Sequence, residues 1–360
     1  MSRTDPSGPA PDAPAGPDAG TRHVPVVVSW IADNRRSRSL AAALGGRTVF
    51  MPWATPRGGL PRTAVGWARS AWVTVRLLRR LPNGTGVVAM VPPVFAAWCL
   101  VPFRRRLRIG LDIHSGAVNH RRWAWSVPLL MRAVRRMHVI VLTNDELLEG
   151  LDAGTTPRVV LLNPGLAGGA ARSSDAPVQR TVPDSGDTLP VVLFPASGED
   201  DEPLEEVLGA AEQLRGEVRV VATGRLPERA RGGALETPGF LETEEFEALL
   251  DRASAILALT TREATNQRSA AEAVDLGKPL VCSDTAMLRR VYGPAAVMVA
   301  NERGSIAAGV RQALAEADDL RRRSVDLRTR LVNETVTGVG RLAQLLAATD
   351  VTDDTARSSD

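Results

Sequence analysis

Short apolar runs alternate with helix-length segments along most of the chain. From Val24 the runs read VPVVVSW, RTVFM, VVAMV, LRIGLDI, HVIVLT and RVVLLN, with RSRSLAAALG, a long basic helix ending at Leu81 and a helical stretch Val94–Leu100 among the segments between them. Runs this uniformly apolar are buried on both faces, which predicts parallel strands joined by crossover helices. Around Pro164 to Thr188 the period lapses into Gly, Ala, Ser, Asp and Pro, the composition of a linker.

The rhythm restarts with LPVVLFPAS, a helix from Pro203, VRVVATG, the turn-and-strand PGFL and a helix over Glu242–Leu250. A strand, Ile256–Leu259, then runs into a polar loop. That loop opens a small-residue helix carrying Glu272, which Gly277-Lys278-Pro279 stops before a further apolar strand. Ser305 to about Ala347 is predicted to be helical, closing the second domain with room to return to the first. The fold class is therefore α/β, two Rossmann-like doubly wound domains facing a central cleft. They span residues 23–165 and 189–347, with a linker over 166–188. The Pro/Ala/Gly/Asp-rich residues 1–22 lack the apolar centre of a signal peptide and are expected, like 348–360, to be disordered.

Composition narrows the class. Hydrophobic residues at 44% and charged ones at 24% are ordinary for a globular protein of 360 residues. The two cysteines, Cys99 and Cys282, sit in apolar runs and read as reduced core residues, which fits a cytoplasmic location. Gly86 to Phe103 approaches the length of a membrane span, but Pro92 and Pro93 break it into a strand and a helix.

Charge separates the halves. Residues 24–165 hold 20 arginines against 6 acids, a net of +14, while residues 188–345 hold 19 basic residues against 25 acids, a net of −6. The first domain's partner is therefore expected to be anionic. At about 100° per residue, Arg69, Arg76 and Arg80 fall on one side of a helix with Trp72 beside them. FRRRLR at 103–108 and HRRWAW at 120–125 repeat the pairing of arginine with aromatic residues. Tryptophan bordering arginine suits a headgroup layer, so peripheral contact with an anionic membrane is one reading and a solvated basic face the other. No nucleic-acid motif accompanies the charge, and nucleic acid is not expected as a partner.

Glu272 is a lone carboxylate near the mouth of a β-α-β unit, where it can accept two hydrogen bonds from a ribose while amides at the helix start face a diphosphate. Four scattered histidines and two cysteines give no ligand spacing for a metal, and no G-x-G-x-x-G follows the first strand.

The chain resembles retaining GT-B glycosyltransferases of the large family-four group, which use nucleotide sugars. In the second half the likeness rests on PASGEDDEP (195–203), Thr223-Gly224-Arg225, PGFL (238–241) and LTTRE…AAEAVDLGKPLVCSD up to Asp284. In the first half it rests on VPP (91–93), LDIHSG (111–116) and LTN (142–144). The resemblance implies that Glu272 binds the donor ribose. The family's first glutamate would fall at Ala264, so either the neighbouring Glu263 serves or Thr265, Asn266 and Gln267 contact the sugar. An arginine and a lysine commonly hold the diphosphate near the first turn of the second domain, but Glu199, Asp200, Asp201 and Glu202 stand there instead. Arg225, Arg262 and Arg268 are the expected substitutes, with amides of Asn266 and Gln267 and those of Ser197 and Gly198. Phe240 and Leu241 are candidates for an apolar ledge under the base, with Phe240 as plain core the alternative.

His114, after Asp112 at the end of the fourth strand, would face donor sugar or acceptor by the same resemblance, or else be a structural imidazole bonded to Asp112. Asp33, Arg35, Arg36 and Arg38, where many relatives carry a glycine-rich loop, are with Asp112 the acceptor-side candidates for a lipid-linked or phosphorylated acceptor. A helix start with solvated arginines is the alternative. The expected reaction is hexose-type transfer from a nucleoside-diphosphate sugar to an acceptor at the membrane surface with retention, which by the resemblance needs no metal or cofactor; the basic first domain adds the inner face of the plasma membrane to the expected cytoplasmic location. A sugar-nucleotide epimerase or hydrolase, or a non-catalytic partner of another transferase, would share the scaffold.

Overall fold

The computed structural model describes residues 23–54, 60–119, 123–164, 166 and 189–348. The expected tails and linker lie almost wholly outside the described residues, as do His120, Arg121 and Arg122. The first sheet is built from β1 (Val26–Ser29), β2 (Arg47–Phe50), β3 (Gly86–Val91), β4 (Arg108–Ile113), β5 (Val139–Leu142) and β6 (Arg158–Val160). Its strands are parallel throughout and lie in the order β2-β1-β3-β4-β5-β6. The second sheet, also parallel, comprises β7 (Val191–Pro195), β8 (Arg219–Thr223), β9 (Leu235–Gly239), β10 (Ala255–Ala258), β11 (Leu280–Ser283) and β12 (Ala296–Val299) in the order β12-β11-β10-β7-β8-β9.

Strand order reverses between β1 and β3 in one sheet and between β7 and β10 in the other. Loops leaving adjacent strands part at such a switch, which opens a crevice at the carboxyl edge. The central strands are buried on both faces, as β1, β3 and β5 show at every position. On one face of the first sheet, Val26, Val87, Ile109 and Ile140 pack against α2 (Leu60–Arg80), α3 (Val94–Leu100) and α5 (Val127–Val134). α4 (Ser115–Asn119) follows β4. On the other face, Val27, Val88, Val139 and Val141 pack against Leu40 of α1 (Arg35–Ala43) and against the end of the last helix. Asn34 starts α1 because its side-chain oxygen accepts the Ser37 N–H at 3.0 Å.

The second sheet carries α6 (Leu204–Gln213), α7 (Thr243–Arg252), α8 (Arg268–Asp275), α9 (Ala286–Tyr292) and α10 (Arg303–Ala315). Glu242 and Glu245 form a reciprocal capping box at the start of α7. Pro238 and Gly239 finish β9, leaving Phe240 beyond the strand and 69% exposed, so it is not a core residue. The 31-residue α11 (Ala317–Ala347) returns to the first domain. Leu327 and Leu331 belong to the second core, whereas Val339, Leu342 and Leu346 belong to the first. At Gly338 the helix lies so close to β6 that a Cβ would come within 2.6 Å of the Leu161 side chain.

Both cysteines are free, and burial pushes the Cys99 thiol up to about 11. Among the described residues no helix is long and apolar enough to cross a membrane.

Candidate functional site

A cavity of about 810 Å³ opens at the switch point of the second sheet, between the loops that leave β7 and β10. Pro195, Ala196 and Ser197 form one wall and Asn266, Gln267 and Arg268 the opposite one. α8 presents a single stripe to this space. Arg268, Glu272 and Asp275 recur at four and three residues and line the cavity with Ser269 and Leu276, while Ala270, Ala273 and Val274 are buried on the helix's other side. Glu272 therefore sits on the wall with its side chain 17% exposed. One of its oxygens accepts from Arg268 Nε at 2.7 Å. The Tyr292 hydroxyl, itself fully buried, donates to Asn266 Oδ1 at 3.0 Å and fixes that side chain.

The floor is set by a close approach of two turns. Gly224, at φ +98°, passes so near Ala196 that a Cβ would lie 2.0 Å from the Ala196 oxygen. Arg225 follows it and lies over the Phe240 ring at 5.7 Å, with Leu241 alongside. A side chain at 224 would meet both a left-handed φ and a backbone clash. Gly224→Ala is therefore expected to lower the urea unfolding free energy by about 2 kcal/mol or more, against little change for an exposed control such as Gly304→Ala.

The Ser197 and Gly198 amides are occupied by a neighbouring side chain. Glu202 accepts from Ser197 N at 2.6 Å, Ser197 Oγ at 2.8 Å and Gly198 N at 2.9 Å. A carboxylate thus fills a backbone nest of the kind that holds anions. Gly198 itself borders an adjoining hollow rimmed by Glu199, Asp200 and Glu205.

Arg35, expected on the acceptor side, lines this same cavity from the first domain. Sequence reasoning missed Arg328 of α11, which also lines the cavity; its Nε is buried without a hydrogen-bond partner, 3.9 Å from Asp275. Burial pushes the Asp275 carboxyl up, while the charges of Arg328 and Arg35 pull it down. No local motif marks Arg328, because only the packing of α11 against α8 brings it here.

Six candidates face elsewhere. Arg262 is ion-paired to Asp200 and, at 3.4 Å, to Asp201, so its charge is already met and it does not line the cavity. Glu263 points to α9, where it accepts the Ala286 N–H at 2.9 Å, and Thr265 also lies off the wall. Arg36 is held inward: it donates to both oxygens of Asp112 at 2.9–3.1 Å and to the Leu161 carbonyl at 2.7 Å, which leaves it no role as an open anion receptor. Asp33 and Arg38 pair with each other at 2.9 Å on the surface.

Asp112 is fully buried. Burial alone would raise its carboxyl, but the Arg36 charge, with hydrogen bonds from Arg36 and His114, holds it well below the usual carboxylate range. His114 Nε2 lies 3.2 Å from Asp112 Oδ2, with the imidazole 24% exposed at the carboxyl edge of the first sheet and outside the cavity lining. The domains also meet across the cleft: Arg290 of α9 makes two bonds, 2.7 and 2.8 Å, to Glu146, and Asn144 donates to the Ala264 carbonyl at 3.3 Å.

No family model matches the sequence, and no curated protein does. Solved structures match over nearly the whole chain. Sucrose-phosphate synthase from Thermosynechococcus elongatus superposes with a TM-score of 0.66 at 14% identity, covering 91% of this chain and 100% of its own. A UDP-forming α,α-trehalose-phosphate synthase from Burkholderia vietnamiensis gives the same values. Anabaena HepE in complex with UDP gives 0.66 at 10% identity with the same coverage. At these identities the likeness is one of fold, and the fold is GT-B.

Proposed function

We propose that the protein transfers a hexose-type sugar from a nucleoside diphosphate to an acceptor at the cytoplasmic face of a membrane, with retention at the anomeric carbon. The observation that carries this reading is Glu272, a partly buried carboxylate on the wall of a switch-point crevice that arginines enter from both domains. A ribose diol would be gripped by Glu272 while Arg225, Arg268, Arg35 and Arg328 supply positive charge for two phosphates. Phe240 and Leu241, at the opposite lip, offer an apolar ledge for a base. HepE binds UDP and the trehalose-phosphate synthase is UDP-forming, which makes uridine diphosphate the first ligand to test.

In the step we envisage, the bond from the anomeric carbon to the phosphate oxygen breaks while an acceptor hydroxyl oxygen bonds to that carbon on the same face. The hydroxyl proton passes to the departing phosphate. That chemistry asks the protein for positioning and charge stabilisation rather than a separate base. The basic first domain would receive the acceptor, which we take to be lipid-linked or phosphorylated.

The test is calorimetric titration with UDP, GDP, ADP and dTDP, followed by transfer from the matching sugar nucleotide to a membrane lipid extract. Saturable binding of one diphosphate and donor-dependent glycosylation are expected. Binding of none would overturn the reading.

A second reading, a non-catalytic partner of another transferase, draws on Glu202 filling the Ser197–Gly198 nest. The two separate on Glu202→Ala. If the nest serves a phosphate, removing the resident carboxylate is expected to tighten UDP binding by about tenfold. A non-catalytic partner would bind UDP in neither form.

A further inference from the structure

From Asn34 to Asn144 the sequence contains 19 arginines and a single acid, Asp112. That acid is buried and paired with Arg36. The layer formed by α2, α3 and α5 therefore contributes no carboxylate of its own to the surface. Several of its arginines and their neighbours rest on rings instead: Arg69 on Trp53 at 4.3 Å, Arg76 on Trp72 at 5.2 Å and Arg136 on Trp98 at 5.6 Å.

Large apolar side chains stand exposed on the same elements. Val65 and Trp72, two turns apart on α2, are 69% and 60% exposed. At about 100° per residue they fall within some 20° of each other, with Arg69 and Arg76 between and beyond them on the same stripe. A second group bridges the layer: Trp67 of α2 meets Phe95 of α3 at 5.3 Å, and Phe95 meets Trp125, just before α5, at 6.4 Å. Phe95 is 36% and Trp125 58% exposed, so the ladder runs from core to surface.

We infer that this layer is a docking surface for an anionic lipid bilayer, with Trp72, Trp125, Phe95 and Val65 entering the headgroup–acyl boundary and the arginines meeting lipid phosphates. The inference rests on the membrane-side acceptor proposed above and names the surface that reaches it. Tryptophan at the polar–apolar boundary with arginine beside it is the side-chain chemistry of interfacial anchoring, and unneutralised arginine supplies the charge complement. Single-stranded nucleic acid fits less well. Val65 has no face on which a base can stack, and the Trp67, Phe95 and Trp125 rings are tilted by 45° and 49° to their neighbours rather than forming a flat platform.

The test is co-sedimentation of the full chain, without donor, with vesicles of phosphatidylcholine and phosphatidylglycerol, with pure phosphatidylcholine vesicles and with a labelled single-stranded RNA. Retention on the anionic vesicles alone is expected, weakening as salt rises from about 0.1 to 0.5 M, with a blue shift of tryptophan emission. Trp72→Ser combined with Trp125→Ser should lower that retention by roughly tenfold while leaving the unfolding midpoint in place, since both rings are exposed. Equal retention on neutral vesicles, retention undiminished in the double variant, or capture by RNA but not by vesicles would each overturn the inference. Glu272→Ala should sediment like the parent, so loss of transfer and loss of docking are read separately.

Discussion

Replacing Glu272 by alanine is expected to weaken binding of the cognate nucleoside diphosphate a hundredfold or more and to abolish transfer. Each charge-assisted hydrogen bond from a carboxylate to a ribose hydroxyl contributes about 1.5–3 kcal/mol, and about 3 kcal/mol is already two decades in Kd. The fold should hardly notice. The partner of Glu272 in the free protein is Arg268, whose side chain is 69% exposed, and a solvent-screened pair of that kind is worth about 0.5 kcal/mol or less. Calorimetry and urea unfolding on the same preparation separate the two effects. Binding that survives the change at parent strength removes Glu272 from the site, and a collapse of stability makes it a structural residue instead.

The second large effect is expected at Asp112, and it concerns folding. Its carboxylate is buried and receives three bonds from Arg36 and one contact from His114. Asp112→Ala leaves a guanidinium that is only 12% exposed without its counter-charge, a change that costs about 3–5 kcal/mol. Arg36→Met alone should be comparably harmful because it strands the carboxylate. The pair Arg36→Met with Asp112→Leu should recover much of the loss, since two apolar side chains need no counter-ion. Equal destabilisation by the double and the worse single variant would show that the pair does not act as a unit. The pH dependence has a definite sign. The folded carboxyl lies well below its unfolded value, so its contribution is complete above the ordinary carboxylate range and is lost as pH falls through that range towards the folded value. The Asp112→Ala protein should therefore lose less stability than the parent on acidification.

The architecture was legible in the sequence because central parallel strands are apolar on both faces. VVVS at β1 and VIVL at β5 leave no polar side to confuse with a surface strand. The site was legible only where it is local. Arg268 and Glu272 share one helix with four-residue spacing, and Gly224 with Arg225 forms one turn.

Charges that find partners across the chain were not legible. Arg35, Arg36 and Arg38 read as one basic group, yet the turn of α1 sends the first to the cleft, the second inward to a carboxylate 76 residues away, and the third to Asp33 on the surface. Arg262 stands in the signature loop but is neutralised by Asp200 and Asp201 from the loop after β7. Arg328 reaches the cavity only because α11 packs against α8, which no short-range period encodes.

The return of α11 to the first domain has a consequence for how the protein can be divided. Val339, Leu342 and Leu346 roof one side of the first sheet, over Val27, Val88, Val139 and Val141. An amino-terminal fragment cut at residue 166 would expose those valines to water, and a carboxy-terminal fragment would carry an unpaired greasy tail. A helix that follows the second domain thus completes the core of the first, so neither lobe is a self-sufficient module and a stop codon before α11 should yield aggregated product rather than two folded halves.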